Sequence, residues 1–427
     1  MVKLSHFTQR TERFKGSFSG NIQGNYLQIC LKLNTMITLK EAQNICGSEE
    51  YRPNTEILPL NEVLNRILAE DVYSDVNMPP FHKAAVDGFA CRKSDLQHDL
   101  LVIGEVAAGS LAETKLQPKS CFRIMTGAPV PDGCDIVIML EHTQVLPNGR
   151  IRFMKEKSSQ NICFLGEDVQ VSDLLLSAGT LLRSQDIGVL ASAGKSTVSV
   201  FQSIRVGIIA TGNELVEPHC LPNPSQIRNS NGPMIEALVQ SLGAKAINLG
   251  IAPDQEAPLE TIIERSLREN HLTILSGGVS VGDYDLVPIV LKKLQVETRF
   301  HSVAVQPGKP SFFGKRGNSL VFGLPGNPVS SFVQFNLLVK NLIRKLAGQK
   351  NLSNETIRIP LSYDYQRRNV AREKWEPAQL NENGEIKALN YHGSGHLHAL
   401  SFAKVLFQVP AGVASLRKGE LVQALII

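Results

Sequence analysis

Between Met36 and Asp71 apolar positions recur with helical spacing in two stretches separated by polar residues. The first is ITLKEAQNIC. The second, LNEVLNRILAEDV, puts Leu60, Val63, Leu64, Ile67 and Leu68 at i, i+3, i+4, i+7 and i+8, which predicts a surface helix with one buried stripe. Pro79-Pro80 then breaks the chain. From Phe89 to about residue 164 short apolar runs are divided by turn residues, as in LLVIGEVAAG, SCFRIMTGAPVPDGCDIVIML and HTQVLPNGRIRFM, and a β-rich module follows from that pattern. Near Arg205 the pattern changes again. Short runs apolar throughout (RVGIIATG, KAINLG, LTILSGG, NSLVFGLPG) alternate with helical ones (PMIEALVQSLG, APLETIIERSLREN, DLVPIVLKKL, PVSSFVQFNLLVKNLIRKLAG). This alternation predicts a mostly parallel sheet covered by helices on both faces. After Gly348 strands with charged turns return, ending in FAKVLFQVPAG and ELVQALII, and predict a small C-terminal β domain.

Length and composition agree with several domains in one chain. The 427 residues exceed one ordinary core, and 43% hydrophobic with 20% charged residues is the profile of a soluble globular protein. The formal charge of +4 is small, and without a dense basic run no nucleic-acid surface is expected. The longest apolar run, Ile136 to Leu140, is far below the roughly 20 residues that span a bilayer, so no membrane segment is expected. Seven scattered cysteines with no C-x-x-C pair signal neither a thiolate zinc site nor a disulfide framework, which fits a reducing cytosol. Residues 1–35 are basic, acid-poor and without periodicity, and are expected to lie outside the fold. A transit peptide, a disordered tail and an upstream start codon all fit them.

In an open α/β sheet, ligands sit beyond the carboxyl ends of the strands, and four such ends carry special sequences. RVGIIA ends in Thr211-Gly212-Asn213-Glu214. LTIL ends in SGGVSVGDYD, where Ser276, Gly277, Gly278, Ser280 and Gly282 make a turn with bare N–H groups for oxyanions, and Asp283 and Asp285 add oxygen ligands suited to magnesium. Pro307-Gly308-Lys309-Pro310 is a rigid turn that fixes one lysine as a point charge. Pro325-Gly326-Asn327-Pro328 opens a long helix, with Asn327 expected to cap it. Together these would surround a phosphorylated ligand, and carboxylates beside phosphates imply a bridging cation. Taken singly, each short turn is also ordinary loop chemistry. In the β-rich module, PPFHKAAVDGFA with Asp87, and RIMTGAPVPDGCDIVIMLEHT with Thr126, Gly127 and Glu141, read on residues alone as a tight hairpin and a β turn. The N–H groups at Thr126 to Ala128 offer an alternative anion site.

In this order TGNEL, SGGVSVGDYD, PGKP and GLPGNPVSS, preceded by PPF, VDGFA and RIMTGAPVP and followed by GSGHL and FAKVLFQVP, resemble the molybdopterin molybdenumtransferase family over residues 36–427. The C-terminal module of gephyrin is similar. The resemblance implies a reaction in which adenylyl-molybdopterin and molybdate give molybdenum cofactor and AMP, with Mg2+ assisting. It implies catalytic positions at Asp87, Glu214, Asp254, Asp285 and Lys309, and metal positions at Glu141, Glu214 and Asp285. Substrate contacts are implied at Thr126, Gly127, Thr211, Gly212, Ser276, Gly277, Gly278, Ser280, Gly282, Pro307, Gly308, Pro325, Gly326 and Asn327.

The fold it implies joins the patterns above: an elongated linker and dimerisation domain from 36–74 and 165–203, an inserted β-rich domain at 75–164, a three-layer α/β/α molybdopterin-binding domain at 204–349, and a β-barrel-like domain at 350–427. A cytoplasmic homodimer with a site shared between subunits is implied. So is transient contact with a molybdopterin adenylyltransferase or with apo molybdoenzymes. Two other readings stay open: an adenylyltransferase acting through the α/β domain alone, and a non-catalytic scaffold that keeps the pterin pocket. The chain departs from the family pattern at Ala84, where a serine is usual, at Gln306, where a lysine is common, and at Cys163, where an arginine is expected.

Overall fold

The computed structural model describes residues 36–279, 286–350, 352 and 356–427. The chain divides into two compact units, Ile57–Val200 and the remainder on either side of it.

The larger unit is built on a six-stranded sheet. Its strands are β1 (Arg205–Thr211), β2 (Lys245–Ala252), β3 (Leu272–Ser276), β4 (Glu297–Ser302), β5 (Pro310–Arg316) and β6 (Ser319–Leu324), in the order β2-β1-β3-β6-β5-β4. The pairs β2-β1, β1-β3 and β3-β6 are parallel, whereas β5 runs antiparallel to both neighbours. The period of two along each strand divides the apolar residues between two cores. Val206, Ile208, Ile274 and Phe322 enter one; Ile209, Leu275 and Val321 enter the other.

Helices cover both faces. The first core is closed by α1 (Leu39–Ser48), α2 (Asn231–Gln240), α5 (Pro328–Gln334) and α6 (Lys340–Leu346), the second by α3 (Glu256–Glu269) and α4 (Leu286–Lys293). A π-helical turn, Phe335–Val339, joins α5 to α6 with all five residues buried, so the long C-terminal helical pattern is one continuous rod. Thr38 and Glu41 start α1 with a reciprocal capping box, at 3.2 Å and 2.8 Å. Leu39, Ala42 and Cys46 then pack into the first core, and the helix falls in the larger unit.

The C-terminal sheet has the order Val305–Gln306, Glu373–Leu380, Val405–Val409, Leu421–Ile426, Thr356–Pro360, with Ile386–Ala388 beside Glu373–Leu380. Its first strand comes from the α/β part of the chain and pairs Val305 with Glu373 and Gln306 with Lys374.

The smaller unit contains the expected β-rich module, a six-stranded sheet in the order Ile136–Met139, Gly88–Cys91, Ser120–Ile124, Leu100–Val106, Arg150–Phe153, Thr143–Val145. A second core gathers Val63, Leu68, Val72, Leu182 and Leu190 around the helix Ser184–Ser192. The helix expected across LNEVLNRILAEDV does not form. Only Leu60–Glu62 makes a single 3-10 turn, and Asn65 takes a left-handed φ of 62° that ends any helical path. The N–H groups of Asn65, Leu68 and Ala69 donate instead to Leu182, Thr180 and Ser199, each at 2.9 Å. Val63, Ile67 and Leu68 are still buried, while Leu64 is exposed. Long-range pairing thus satisfies the apolar pattern without a helix. No helix among the described residues is long and apolar enough to cross a membrane.

Candidate active site

The site grows from the carboxyl ends of β1, β3 and β6. Gly277, at φ 93°, ends β3 so close to β1 that a Cβ on it would stand 2.5 Å from the Thr211 carbonyl oxygen. Gly278, at φ 63°, would meet Thr211 Oγ1 at 2.8 Å. These two glycines allow the strand ends to close up. Asn231, the first residue of α2, holds them: its Nδ2 donates to Ser276 Oγ at 2.8 Å and to the Gly326 carbonyl at 2.7 Å. Asn213 and Asp254 lock the loops after β1 and β2 reciprocally. The Asn213 N–H donates to Asp254 Oδ2 at 3.2 Å, and the Asp254 N–H to Asn213 Oδ1 at 3.0 Å. The result is a cleft of about 690 Å³ lined by Thr211, Gly212, Glu214, Asn231, Asp254 and Ser276. Thr211 Oγ1 and Asn231 Oδ1 are buried there with no partner among the described residues.

A second cleft, of about 700 Å³, adjoins the first and shares Gly278, Gly326 and Asn327 with it. It is cationic, with Lys309, Arg372 and Lys374 on its walls beside Gln306, Tyr391 and His392. The strand pairing at Val305 and Gln306 brings the C-terminal sheet into this position, and Arg372 Nη1 donates to the Val305 carbonyl at 2.9 Å. Lys374 pairs with Glu376 and donates to Tyr365 Oη at 2.8 Å, while Tyr365 donates to Glu376 at 2.9 Å. Burial first, and then the Glu376 charge, push the Tyr365 hydroxyl far above its ordinary range, so it stays a neutral donor.

The smaller unit gathers its own candidate residues at one end of its sheet. Asp87 precedes the strand Gly88–Cys91, and its carbonyl accepts from the Leu140 N–H at 3.2 Å, next to exposed Glu141. The Thr126 turn does not offer bare N–H groups to an anion. The Thr126 N–H and hydroxyl both donate to Asp87, the Gly127 N–H to Ala84 and the Ala128 N–H to Met125. Of the three departures, Ala84 is fully buried in a hydrophobic core, so a hydroxyl there would face apolar neighbours. Cys163 pairs with Lys83 in a short ladder, and burial followed by the nearby Glu167 pushes its thiol up. Gln306 lines the cationic cleft.

Two expectations at the strand ends need correction or restriction. Asn327 stands at the N-cap of α5 with Pro328 first in the helix, but its side chain makes no capping bond; the Ser331 N–H reaches the Asn327 carbonyl at 3.0 Å instead. Ser280, Gly282, Asp283 and Asp285 lie outside the described residues, and the Gly277 N–H is already paired with the Leu324 carbonyl at 3.1 Å. The sequence reading missed Arg372, Lys374 and Glu376. Their signal was present: Lys374 and Glu376 alternate with Trp375 and Pro377 along the strand Glu373–Leu380, and Arg372 stands just before it in the same period.

A sheet whose strand ends join glycine turns, two acids and a cluster of cations defines an α/β protein with an arrangement suited to phosphorylated small molecules. Three family profiles match along the chain: MoeA N-terminal region (domain I and II) over residues 37–194, Probable molybdopterin binding domain over 207–345, and MoeA C-terminal region (domain IV) over 360–427. The molybdopterin molybdenumtransferase of Haemophilus influenzae is 38% identical over 367 residues, 84% of this chain and 91% of that protein. The protein of the same name from Staphylococcus epidermidis is 34% identical over 404 residues, covering 92% and 96%. The crystal structure of the molybdopterin biosynthesis MoeA protein from Pyrococcus horikoshii OT3 superimposes with a TM-score of 0.78 at 30% identity, over 92% of this chain and 100% of that one. The chain belongs to the molybdopterin molybdenumtransferase family.

Proposed function

We propose that the chain transfers molybdenum from molybdate to adenylyl-molybdopterin, giving molybdenum cofactor and AMP. One observation carries this reading: an acidic cleft and a cationic cleft lie side by side on a shared floor of Gly278, Gly326 and Asn327. A pterin joined to a nucleotide through a phosphoanhydride, lying across that floor, would have its phosphates over the glycine turns. Molybdate, an oxyanion, would be drawn to Lys309, Arg372 and Lys374. Glu376, the acid that lines that cleft among the described residues, accepts from Tyr365 and pairs with Lys374, which would offset its repulsion of the anion.

Magnesium fits the acidic half as a shared ligand. Among the described residues no group of three His, Cys, Asp or Glu side chains would hold a metal alone, but Glu214 and Asp254 bring two carboxylates to one cleft. Magnesium is commonly held by one or two carboxylates together with substrate phosphates. When bound, it would offset the phosphate charge. Asp254, tied to the Asn213 N–H, keeps one carboxylate oxygen for this role, and Asp285 is the further acid proposed from the sequence.

A homodimer belongs to the same proposal, with Asp87, Thr126 and Glu141 of one copy completing the site of the other. So do a cytosolic location and transient hand-over of the product to apo molybdoenzymes. The test is to incubate the purified chain with adenylyl-molybdopterin, magnesium and molybdate, and to follow AMP release together with reconstitution of an apo molybdoenzyme. AMP release that does not depend on molybdate would overturn the proposal.

A further inference from the structure

Lys309 owes its position to the turn that carries it, and that turn is held from behind by a side chain outside the clefts. Gln334 lies on α5, one helical turn beyond Ser330, and is 0% exposed. Its Nε2 donates to the Gly308 carbonyl at 2.7 Å. Gly308 sits at φ 99° so close that a Cβ would stand 2.8 Å from Gln334 Cγ. On the other side the Val303 N–H donates to the Lys309 carbonyl at 3.0 Å. The turn is therefore fixed at both residues.

A fully buried glutamine is an expensive choice for packing, because its amide loses water and its rotamers are frozen. Here its neighbours along the helix, Val329, Val333 and Phe335, are apolar and buried. Its Oε1 has no partner among the described residues. Packing alone would favour methionine. What the amide adds is the grip on Gly308.

We propose that Gln334 is a positioning residue for the oxyanion substrate: it clamps the Gly308 carbonyl and so sets where the Lys309 ammonium stands in the cationic cleft. This rests on the reading of Lys309 as the point charge that receives molybdate. Gln334→Met keeps the volume and removes both the bond to Gly308 and the unpaired acceptor, two changes with opposite effects on stability.

The test uses the full chain in four forms: unchanged, Gln334→Met, Lys309→Ala, and both together, with molybdate-dependent AMP release as the assay. Gln334→Met is expected to raise the KM for molybdate by about tenfold with kcat within about twofold, the signature of lost ground-state binding. In the Lys309→Ala background the same change is expected to alter KM by less than about twofold, because the two act as one unit. The melting temperature should move by no more than about 3 °C. An equal factor in both backgrounds would make Gln334 merely structural and overturn the inference. A silent Gln334→Met beside an impaired Lys309→Ala would overturn it too, while leaving the role of Lys309 intact. A silent Lys309→Ala would remove both. Should Gln334→Met fail to fold, Gln334→Asn, polar but one methylene short of Gly308, must give the same rise in KM.

Discussion

The backbone N–H and the hydroxyl of Thr126 converge on one oxygen of Asp87, at 2.6 Å and 2.7 Å. The N–H bond acts most strongly and the hydroxyl next, with Arg123 adding a smaller pull, and they hold the Asp87 carboxyl below its ordinary range. Because the folded value is depressed, the ionised form stabilises the fold fully above the unfolded value of about 3.9 and that effect is lost as pH falls through the lower, folded value. Thr126→Val deletes the hydroxyl bond and keeps the N–H bond. The titration midpoint of Asp87, followed by carboxyl-carbon NMR, is expected to rise part of the way to the usual aspartate value; an unmoved midpoint would assign the whole shift to the backbone.

Gly277→Ala is expected to destabilise the larger unit by about 3 kcal/mol, since it forces a left-handed φ on alanine and drives a methyl group into the Thr211 carbonyl. The chain has a single tryptophan, Trp375, buried at 4% exposure in the same unit, so its fluorescence during urea unfolding reports the loss directly. A midpoint equal to that of the unchanged chain would mean the strand ends are not packed as described.

Glu214 is exposed on the acidic cleft, so Glu214→Gln should leave the melting temperature within about 1 °C. If it helps to hold magnesium against the phosphates, the magnesium concentration for half-maximal AMP release should rise by about tenfold. An unchanged magnesium requirement would take Glu214 out of the metal's surroundings.

Glu49 is buried beyond the end of α1 and pairs with Lys315 of β5 at 2.7 Å and Arg299 of β4 at 3.3 Å. Glu49→Gln leaves the partly buried Lys315 without its anion, while Arg299 keeps Glu297 at 2.6 Å, and is expected to cost about 2 kcal/mol, short of the full value for a buried pair because both cations keep some solvent. Urea unfolding at low and high salt checks this, with the loss shrinking as salt rises.

The parts of the fold that could be read from the sequence are those in which one local pattern has one structural answer. Val206, Ile208 and Ile209 announce a strand buried on both faces, and they split between the two cores as that reading requires. The segment from Leu60 to Leu68 shows the opposite case. Its spacing suits a helix, but burial of Val63, Ile67 and Leu68 is also met by bridges to Leu181 and Val200, partners too distant in sequence to be seen. The acidic half of the site was legible because each residue follows its own strand. In the cationic half Lys309 was legible from its turn, but its meeting with Arg372 was not, because the two come together through the ladder at Val305. The Thr126 turn was read correctly as a turn, yet its N–H groups already serve Asp87, Ala84 and Met125, and no local sequence rule reveals that use.

The ladder between Val305–Gln306 and Glu373–Lys374 also bears on how this chain can be cut. Trp375, Leu406 and Leu425 of the C-terminal sheet lie in the same core as Val206 and Phe322 of the α/β sheet. Truncation after Gly348 would therefore not trim a detachable appendage. It would strip one wall from the lysine-bearing cleft, bare a strand edge just ahead of the Pro307 turn and open an apolar flank to solvent. The α/β portion is better expressed together with the strands that carry Trp375, Leu406 and Leu425 than cut at the apparent domain border.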